Sequence, residues 1–458
     1  MRFQIRHKYT GEVLGELPVA TKGDVDAAVA RARRAAKRPL SPYERYEILM
    51  NAAELVRARK EEFARTICRE AGKPIQQARG EVDRGYQTLV ASAEEAKRIA
   101  GEVVSLEGSP AGRGRIGFTL RRPVGVVCAI TPFNFPLNLV AHKVGPGLAA
   151  GNALVLKPSN LTPLTAVLLA EALREAGLPE GYLNLVHGPG RQVGELLLEH
   201  PGIDMYTFTG SAAVGRRIRQ AAGLRKVALE LGNNSANVVC ADAPLERAAK
   251  SLAAMAFAYA GQTCISVQRI YVQRPVYDAF LELFEREARA LRVGDPEDES
   301  VHVGPMISEE EARRAEAWVR EAVEGGATLR MGGERRGAVL LPAILTDVKP
   351  EMKVVCDEVF APVVSVQPFE SVDEAIAEVN ASRYGLQAGV FTRDAHVAFR
   401  FARELEVGGV IINDTSSYRV DLMPYGGVKE SGLGREGPRY AVEEMTDPVL
   451  VVWNLSEQ

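Results

Sequence analysis

Short apolar runs that alternate with helix-length segments constrain the fold of this chain more than any other feature. From about residue 124 onward, such runs cover residues 124–130, 153–156, 183–186 and 205–208, and helical patterns separate them. A repeated order of strand, helix and strand is typical of a parallel sheet with helices on both faces. The sequence therefore predicts an α/β protein with a doubly wound sheet.

A second α/β domain is predicted to begin near Gly232. Strand-like runs resume after this glycine at residues 236–240, 269–272, 389–391 and 410–412. The chain has 458 residues, more than the roughly 250 to 300 at which a single hydrophobic core stops growing. We therefore predict a first domain of residues 1–100 and 122–231 and a second domain of residues 232–445.

The remaining segments are predicted to be scaffold and assembly elements. The first hundred residues are predicted to be helical, with a capping-box start at Ser41. The stretch 111–124 and the tail 448–455 alternate or run apolar without helices of their own. We interpret residues 101–121 and 446–458 as a small β oligomerisation element, which predicts a homodimer or homotetramer.

The charge balance and the cysteines argue against several classes of partner. The 56 basic and 59 acidic residues leave a net charge of −3 and are spread along the chain, which argues against nucleic acid. We find no run of roughly 20 apolar residues and no apolar signal-peptide core, so we predict a cytoplasmic protein without a membrane anchor. Five cysteines without a Cys-x-x-Cys pair predict neither disulfides nor a metal site.

Two glycine-containing segments follow predicted strands and open helices. Residues 188–194 are similar to a dinucleotide-binding turn with one residue too many, and a simple tight turn explains them equally well. Residues 208–215 place a glycine and a serine at a helix N-terminus, where free N–H groups attract phosphate. The alternative for that serine is an ordinary N-cap.

Three further segments together resemble the signature segments of the aldehyde dehydrogenase superfamily. They are Thr-Pro-Phe-Asn-Phe-Pro at 131–136, Leu-Glu-Leu-Gly at 229–232 and Gly-Gln-Thr-Cys at 261–264. Similar segments also lie at 157–159, 358–362 and 424–427. The resemblance covers nearly the whole chain. A free cysteine is more often inert than nucleophilic, so it is this context that singles out Cys264.

The resemblance implies an oxidoreductase whose nucleophile is Cys264. Its thiolate attacks the aldehyde to form a thiohemiacetal, and Asn134 with the Cys264 backbone N–H donates to the oxyanion. Loss of hydride leaves a thioester, which is hydrolysed by water that Glu230 activates. Members that pass the acyl group to coenzyme A lack this glutamate, so Glu230 favours release of the free acid. Without the resemblance, Asn134 would be interpreted as a turn residue and Glu230 as a solvated strand end.

The resemblance also implies NAD or NADP as cofactor, bound by the first domain, with residues 232–445 as the catalytic domain. Lys157 is expected at the adenosine ribose, Ser211 at the pyrophosphate, and Glu358 with Phe360 at the nicotinamide ribose and ring. Strongly NAD-preferring members often have a glutamate where this chain has Asn160, so we expect NADP to be tolerated, with Lys157 as its cation. The other residues expected at the cofactor are Thr131, Pro132, Phe133, Ser159, Gly190, Gly194, Phe208, Thr209, Gly210, Leu231 and Gly232.

His142 and Arg419 are expected to determine the substrate class. With their neighbours they resemble the lactaldehyde and phosphonoacetaldehyde dehydrogenase-like branch. A guanidinium at the pocket mouth suits a carboxylate, phosphate or phosphonate, and His142 could donate to a hydroxyl or share the anion. We therefore expect small hydroxylated or anionic aldehydes such as lactaldehyde. A surface or interface charge for Arg419 and simple packing for His142 are the alternatives.

Other functions fit parts of the same pattern. Ala258 stands where succinic semialdehyde dehydrogenases typically carry an arginine, which disfavours that substrate. A non-phosphorylating glyceraldehyde-3-phosphate dehydrogenase would share the chemistry and hold its anion with Arg419. A cofactor-independent thiol hydrolase would need only Cys264 and Glu230, and would leave the cofactor residues without a role. A catalytically idle binding protein on the same fold is disfavoured by the intact Cys264, Glu230 and Asn134.

Overall fold

A β-hairpin and four helices form the start of the chain in the computed structural model, which describes residues 1–455. The hairpin pairs β1 (Arg2–Arg6) with β2 (Val13–Pro18) in antiparallel register. The helices are α1 (Lys22–Ala36), α2 (Pro42–Ala58), α3 (Lys60–Ala71) and α4 (Ile75–Ala96). Ser41 caps α2 as predicted, because its side chain accepts from the Glu44 N–H. The hairpin was not predicted, since β1 has only two apolar residues among five.

The first large sheet is the predicted doubly wound one. Its parallel strands are β5 (Val126–Ile130), β6 (Ala153–Lys157), β7 (Leu183–Leu185), β8 (Met205–Thr209) and β9 (Lys226–Glu230). The connecting helices are α5 (Asn138–Ala149), α6 (Leu164–Glu175), α7 (Glu195–Glu199) and α8 (Ala212–Ala222). The strand order is β9-β8-β5-β6-β7, so the direction of winding reverses between β5 and β8. Ligands of such sheets bind at the carboxyl ends of the strands beside this reversal.

A seven-stranded sheet forms the core of the second domain. Its strands, in sheet order, are β12 (Thr328–Met331), β15 (Ala343–Thr346), β16 (Val363–Phe369), β11 (Arg269–Gln273), β10 (Ala236–Val239), β18 (Gln387–Phe391) and β19 (Gly409–Ile412). The helices of this region are α9 (Leu245–Phe257), α10 (Tyr277–Arg289), α11 (Glu309–Glu324), α12 (Lys353–Cys356), α13 (Val372–Asn380) and α14 (Ala395–Glu404). Two small antiparallel sheets pair β13 (Arg335–Arg336) with β14 (Val339–Leu340) and β17 (Tyr384–Gly385) with β20 (Val428–Lys429). The predicted α/β class is confirmed.

The chain returns to the first sheet near its end. Strand β21 (Gly432–Leu433) pairs antiparallel with β9, so that Gly432 lies opposite Glu230. Helix α15 (Pro438–Glu444) then packs against α4 and α5. The end of the segment predicted as catalytic domain, residues 232–445, therefore packs with the first domain. A two-residue strand has no alternation pattern, so the sequence could not assign it.

The predicted assembly segments pair with each other in a separate antiparallel sheet. Its order is β22-β4-β3, with β3 (Val103–Val104), β4 (Arg115–Pro123) and β22 (Thr446–Asn454). Residues 456–458 of the predicted element lie outside the described residues. The sheet exposes large apolar side chains to solvent, namely Val103, Ile116, Leu120, Leu450, Val452 and Trp453. Over residues 1–455, no helix combines the length and the apolar character needed to cross a membrane.

Candidate active site

A cavity of about 590 Å³ lies at the carboxyl ends of β5 and β8, with walls from both domains. This is the place that the reversal of strand order predicts for a ligand. Twelve residues that the sequence analysis assigned to the site line it: Pro132, Phe133, Asn134, Thr209, Gly210, Ser211, Leu231, Gly232, Cys264, Glu358, Phe360 and Arg419.

Nine other predicted site residues do not line this cavity in the structure. They are Thr131, His142, Lys157, Ser159, Asn160, Gly190, Gly194, Phe208 and Glu230. Asn160 borders a neighbouring cavity that shares Leu161, Ile307 and Ser308 with the main one. The glycine-containing turn forms a π-helical segment, Gly190–Gly194, after β7. The proposed contacts of these nine residues with cofactor or substrate therefore stay predictions.

The loop that carries Cys264 has an unusual backbone. Tyr259, Ala260 and Gly261 follow one another in the left-handed region, with φ of 48°, 52° and 68°. A Cβ on Gly261 would lie 2.1 Å from the Ala361 carbonyl oxygen, so only glycine allows this close approach. The loop is therefore pressed against the segment that contains Glu358 and Phe360.

The Cys264 thiol contacts the phenol of Tyr425. Cys264 Sγ lies 2.9 Å from Tyr425 Oη. Burial raises the pKa of Cys264 to about 11, while the hydrogen bond from Tyr425 and the positive charge of Arg419 act in the opposite direction. Two carboxyl groups, Glu358 and Glu230, also disfavour the thiolate by their negative charge. Without bound ligands, the thiol form dominates near neutral pH.

Asn134 lies beside the nucleophile with its amide held in place. Its Nδ2 donates to the Gln262 carbonyl oxygen at 3.0 Å, and the Gln262 side chain in turn accepts from the Ile307 N–H at 2.8 Å. Asn134 is buried, and its Oδ1 has no hydrogen-bond partner among the described residues. An amide fixed in this way can offer its second N–H to an oxygen that develops charge near Cys264.

Glu230 is buried at the end of β9 and does not line the cavity. Its Oε1 lies close to Gly426, since a Cβ there would be 3.0 Å away, and its Oε2 has no partner among the described residues. Burial and the negative charge of Glu436 raise the pKa of Glu230 well above its usual value. Glu436 itself is buried too, but Lys143 and Arg419 hold its pKa below the usual range. The pKa values of these two neighbouring carboxyl groups are thus shifted in opposite directions.

Arg419 lines the cavity as a buried guanidinium and does not lie at its mouth. Its Nη2 donates to Glu436 Oε2 at 3.1 Å, and its guanidinium carbon lies 3.6 Å from the centroid of the Tyr425 ring. Its Nε has no partner among the described residues. Glu436 also accepts from Lys143 Nζ at 2.9 Å, so two cations share one carboxylate. Arg419 is therefore the member of this ion-pair cluster that lines the cavity beside Cys264.

His142 lies behind Arg419, and its side chain is fully buried. Burial and the charge of Arg419 lower the pKa of His142, so its ring is neutral near pH 7. Its Nε2 lies 2.8 Å from Asp421 Oδ1 and 3.2 Å from Arg419 Nη2. One ring nitrogen cannot both donate and accept, so we assign the proton to Nε2, which donates to the carboxylate. In this position His142 orients Asp421 and does not reach a ligand in the cavity.

Arg84, on α4, is a second guanidinium in the cavity wall. Its Nη2 and Nε donate to the two oxygens of Asp421 at 2.8 and 3.1 Å. Asn138 and His142 donate to the same carboxylate, which fixes the plane of the guanidinium. The Arg84 side chain lines the cavity and is 31 % exposed.

The other end of the cavity fits a dinucleotide. Ser211 caps α8, whose first N–H groups suit a phosphate. A Cβ on Gly232 would lie 2.6 Å from Glu358 Oε2, so this glycine leaves room for the carboxylate to reach the cavity. Phe360 adopts a left-handed φ of 48° and packs edge-on against Phe133. A carboxylate, an aromatic ring and a helix N-terminus are the groups expected for ribose, nicotinamide and pyrophosphate.

Comparison with known proteins identifies the family. Residues 1–451 match the aldehyde dehydrogenase family. The chain belongs to that family. It is 55 % identical to a 3-sulfolactaldehyde dehydrogenase of Priestia aryabhattai, over 99 % of this chain and 95 % of that protein. It is 42 % identical to a lactaldehyde dehydrogenase of Methanocaldococcus jannaschii, over 97 % and 96 % of the two chains.

A solved structure supports the same assignment. A glyceraldehyde-3-phosphate dehydrogenase from Methanocaldococcus jannaschii, in complex with NADP, superposes with a TM-score of 0.95 at 41 % identity and covers 98 % of both chains. This chain is therefore an aldehyde dehydrogenase that uses NAD or NADP, as predicted. The predicted resemblance to the lactaldehyde branch is confirmed as well. These relatives do not support the two alternatives, a cofactor-independent thiol hydrolase and a catalytically idle binding protein.

Several residues of the site were not found from the sequence. Tyr425 lies in a segment recognised by resemblance, but its contact with Cys264 joins residues 161 positions apart. Arg84 lies on a helix that was assigned to scaffold, and no local motif marks it. Asp421 and Glu436 follow Arg419 within 17 residues, and a search for acidic partners of a buried arginine could have found them.

Proposed function

We propose that this aldehyde dehydrogenase oxidises short anionic or hydroxylated aldehydes to carboxylates through a thioester on Cys264. The observation that carries the proposal is the presence of two guanidinium groups, Arg84 and Arg419, in the same cavity wall as Cys264 and Asn134. A relative that is 55 % identical is named for 3-sulfolactaldehyde, which is both hydroxylated and anionic. We therefore expect a sulfonated, phosphorylated or carboxylated tail to be favoured over an alkyl chain.

The first half of the proposed reaction takes place at Cys264 and Asn134. The thiolate attacks the carbonyl carbon, and the carbonyl oxygen takes the negative charge. The free N–H of the Asn134 amide and the Cys264 backbone N–H donate to this oxygen. When bound at Ser211, Glu358 and Phe360, the dinucleotide supplies the acceptor for the hydride. The former carbonyl carbon of the aldehyde then remains bound to Cys264 Sγ as a thioester.

The second half requires Glu230 to act as a base. Its carboxylate takes a proton from water, the hydroxide adds to the thioester carbon, and collapse of the adduct expels the Cys264 thiolate and the acid. In the structure the carboxyl points towards Gly426, so its side chain has to turn towards Cys264 for this step. Because the pKa of Glu230 is raised, the carboxyl is a stronger base once ionised than an ordinary glutamate.

A substrate panel tests the proposed class. Reduced nicotinamide would be followed with NAD and NADP against 3-sulfolactaldehyde, lactaldehyde, phosphonoacetaldehyde, glyceraldehyde 3-phosphate, succinic semialdehyde and unbranched alkanals. We expect kcat/KM to be highest for aldehydes with an anionic or hydroxylated tail. A clear preference for alkanals would overturn the proposed class and leave the family assignment intact. A preference for glyceraldehyde 3-phosphate would favour the non-phosphorylating alternative, since one relative of known structure is named for that substrate.

Variants of Arg419 test whether its charge selects the tail. Arg419→Met removes the charge at similar volume, and Arg419→Lys retains it. We expect Arg419→Met to lose about 10- to 100-fold in kcat/KM for anionic aldehydes and little for alkanals, because a charged hydrogen bond to the tail is lost. Arg320→Ala is the control, since this arginine is 70 % exposed on α11. Equal losses for anionic and alkyl substrates would assign Arg419 a structural role.

We also propose a homodimer or homotetramer assembled through the sheet β22-β4-β3. Strand β22 is a nine-residue edge strand with exposed Leu450, Val452 and Trp453. Long apolar edge strands in soluble proteins are usually covered by a partner. A second copy of this chain is the partner that we expect.

A further inference from the structure

Tyr425 is held against the nucleophile by its own backbone and by packing. Its N–H donates to the Glu436 carbonyl oxygen at 3.1 Å, and its carbonyl accepts from the Glu436 N–H at 2.6 Å. The ring is buried and packs with Ile265 and Leu386. Its hydroxyl therefore has little freedom to leave Cys264 Sγ, which lies 2.9 Å away.

We propose that Tyr425 is a catalytic residue that stabilises the Cys264 thiolate by donating its phenolic O–H to Sγ. The geometry fits, because the phenolic oxygen lies within hydrogen-bond reach of Sγ and the phenol is rigidly placed. The proton of the thiol itself leaves to water. Tyr425 keeps its own proton throughout and acts only as a hydrogen-bond donor.

The surroundings of the phenol fix the direction of this hydrogen bond. Burial and the neighbouring Cys264 raise the pKa of Tyr425 well above its usual value, so the hydroxyl keeps its proton near neutral pH, whereas a thiolate sulfur has no proton to donate. Burial disfavours the thiolate, and so do the negative charges of Glu358 and Glu230. The groups that favour the thiolate are Tyr425 and Arg419.

Arg419 strengthens this donor from the face of the ring. Its guanidinium carbon lies 3.6 Å from the ring centroid, within the range of a cation–π interaction. A cation over the ring withdraws electron density and makes the O–H a better donor. The same arginine is the proposed contact for the tail of the substrate. Arg419 would thus bind the tail and, through Tyr425, also favour the Cys264 thiolate that attacks the carbonyl carbon.

The inference rests on the proposed role of Cys264 as nucleophile, and its test is independent of turnover. The full-length protein without cofactor would be treated with iodoacetamide between pH 7 and 10, and mass spectrometry would follow modification at Cys264. A lost hydrogen bond to a charged acceptor raises the pKa by about one to two units. Thiolate nucleophilicity rises with pKa and offsets nearly half of this, so we expect Tyr425→Phe to react roughly 3- to 20-fold more slowly.

Two controls separate this role from a change of access. Tyr277→Phe removes a hydroxyl that donates to the Val366 carbonyl far from the site, and it should leave the rate unchanged. N-ethylmaleimide is bulkier than iodoacetamide. Its rate of reaction with Cys264 should fall by the same factor in Tyr425→Phe, because a lower thiolate fraction slows both reagents alike. Equal rates in wild type and Tyr425→Phe, or a loss with only one reagent, would overturn the role of Tyr425 and leave Cys264 as nucleophile. No modification of Cys264 in the wild type would overturn both proposals.

Discussion

At the scale of single residues, Glu230 has a buried carboxyl that does not line the cavity. Replacement by glutamine keeps its shape and removes its basicity. We expect Glu230→Gln to give one rapid burst of reduced nicotinamide per subunit, followed by turnover slowed by about 10²- to 10⁴-fold. Stopped-flow absorbance measures both phases. Cys264→Ala, in contrast, should show neither the burst nor turnover. Full turnover in Glu230→Gln would refute the assignment of Glu230 as the base.

Lys157 predicts how the choice of cofactor depends on pH. Burial lowers the pKa of Lys157 to about 8, so in the free protein its ammonium loses its charge as pH rises through 8. Only NADP has a 2′-phosphate for this charge to attract. We expect the ratio of KM for NADP to KM for NAD to rise above pH 8, by up to about tenfold per pH unit. Steady-state kinetics between pH 7 and 9.5 measures it.

The variant Lys157→Met serves as the control for this pH dependence. It should raise the same ratio at pH 7 and remove its dependence on pH, because no titrating ammonium remains at that position. A ratio in the wild type that stays flat from pH 7 to 9.5 would show that another group recognises the 2′-phosphate.

Local sequence predicted some of the site residues and missed others for an identifiable reason. Cys264 and Asn134 lie in short segments that resemble known motifs, and the structure brings both to one cavity. Tyr425 and Arg84 act across the interface between distant segments, so no local pattern marks them. Arg419 was expected at the pocket mouth, but its burial depends on Glu436, which the sequence alone could not place beside it.

At the scale of elements, the turn between α9 and Cys264 depends on Gly261. Alanine there would adopt a left-handed φ and would place its Cβ 2.1 Å from the Ala361 carbonyl oxygen. We expect Gly261→Ala to lower the free energy of unfolding by about 2 to 4 kcal/mol, from backbone strain and overpacking together. Urea unfolding measures the loss.

A matched glycine separates the two contributions. Gly337 has a similar φ of 60°, and a Cβ there would meet no atom within 4 Å. Gly337→Ala should therefore show only the backbone strain, about 1 to 2 kcal/mol. If both variants lose the same amount, the contact with Ala361 does not shape the turn.

The strand pattern predicted the elements well where runs were long and buried. All eight strands predicted after residue 124 are present, with ends within two residues of the prediction. The pattern did not name β16 (Val363–Phe369), although this strand is long and mostly buried. It also failed for β1, which is half exposed, and for β21, which has only two residues. These last two are strands whose pairing partner, and not their own sequence, defines them.

At the scale of the whole molecule, the exposed sheet predicts how subunits associate. Trp453 on β22 is 65 % exposed. We expect Trp453→Glu to shift the protein towards smaller species, because a charge at a buried apolar interface lacks a partner. Sedimentation velocity measures the distribution. Phe399→Glu on α14, where the phenylalanine is 66 % exposed, is the control and should leave it unchanged. Dissociation by the control variant alone would place the interface elsewhere.

Strand β9 connects this surface to Glu230, the proposed catalytic base. Its first residue, Lys226, donates to the carbonyl oxygens of Glu444 and Thr446 and to Asp447 at the start of β22, and its last residue is Glu230. A strand of only five residues thus joins the proposed assembly sheet to the side chain proposed to activate water. In a subunit detached from its neighbours, we expect the Lys226 end of β9 to be held less firmly. Such a subunit would still form its acyl-enzyme, but it would be slow to release it.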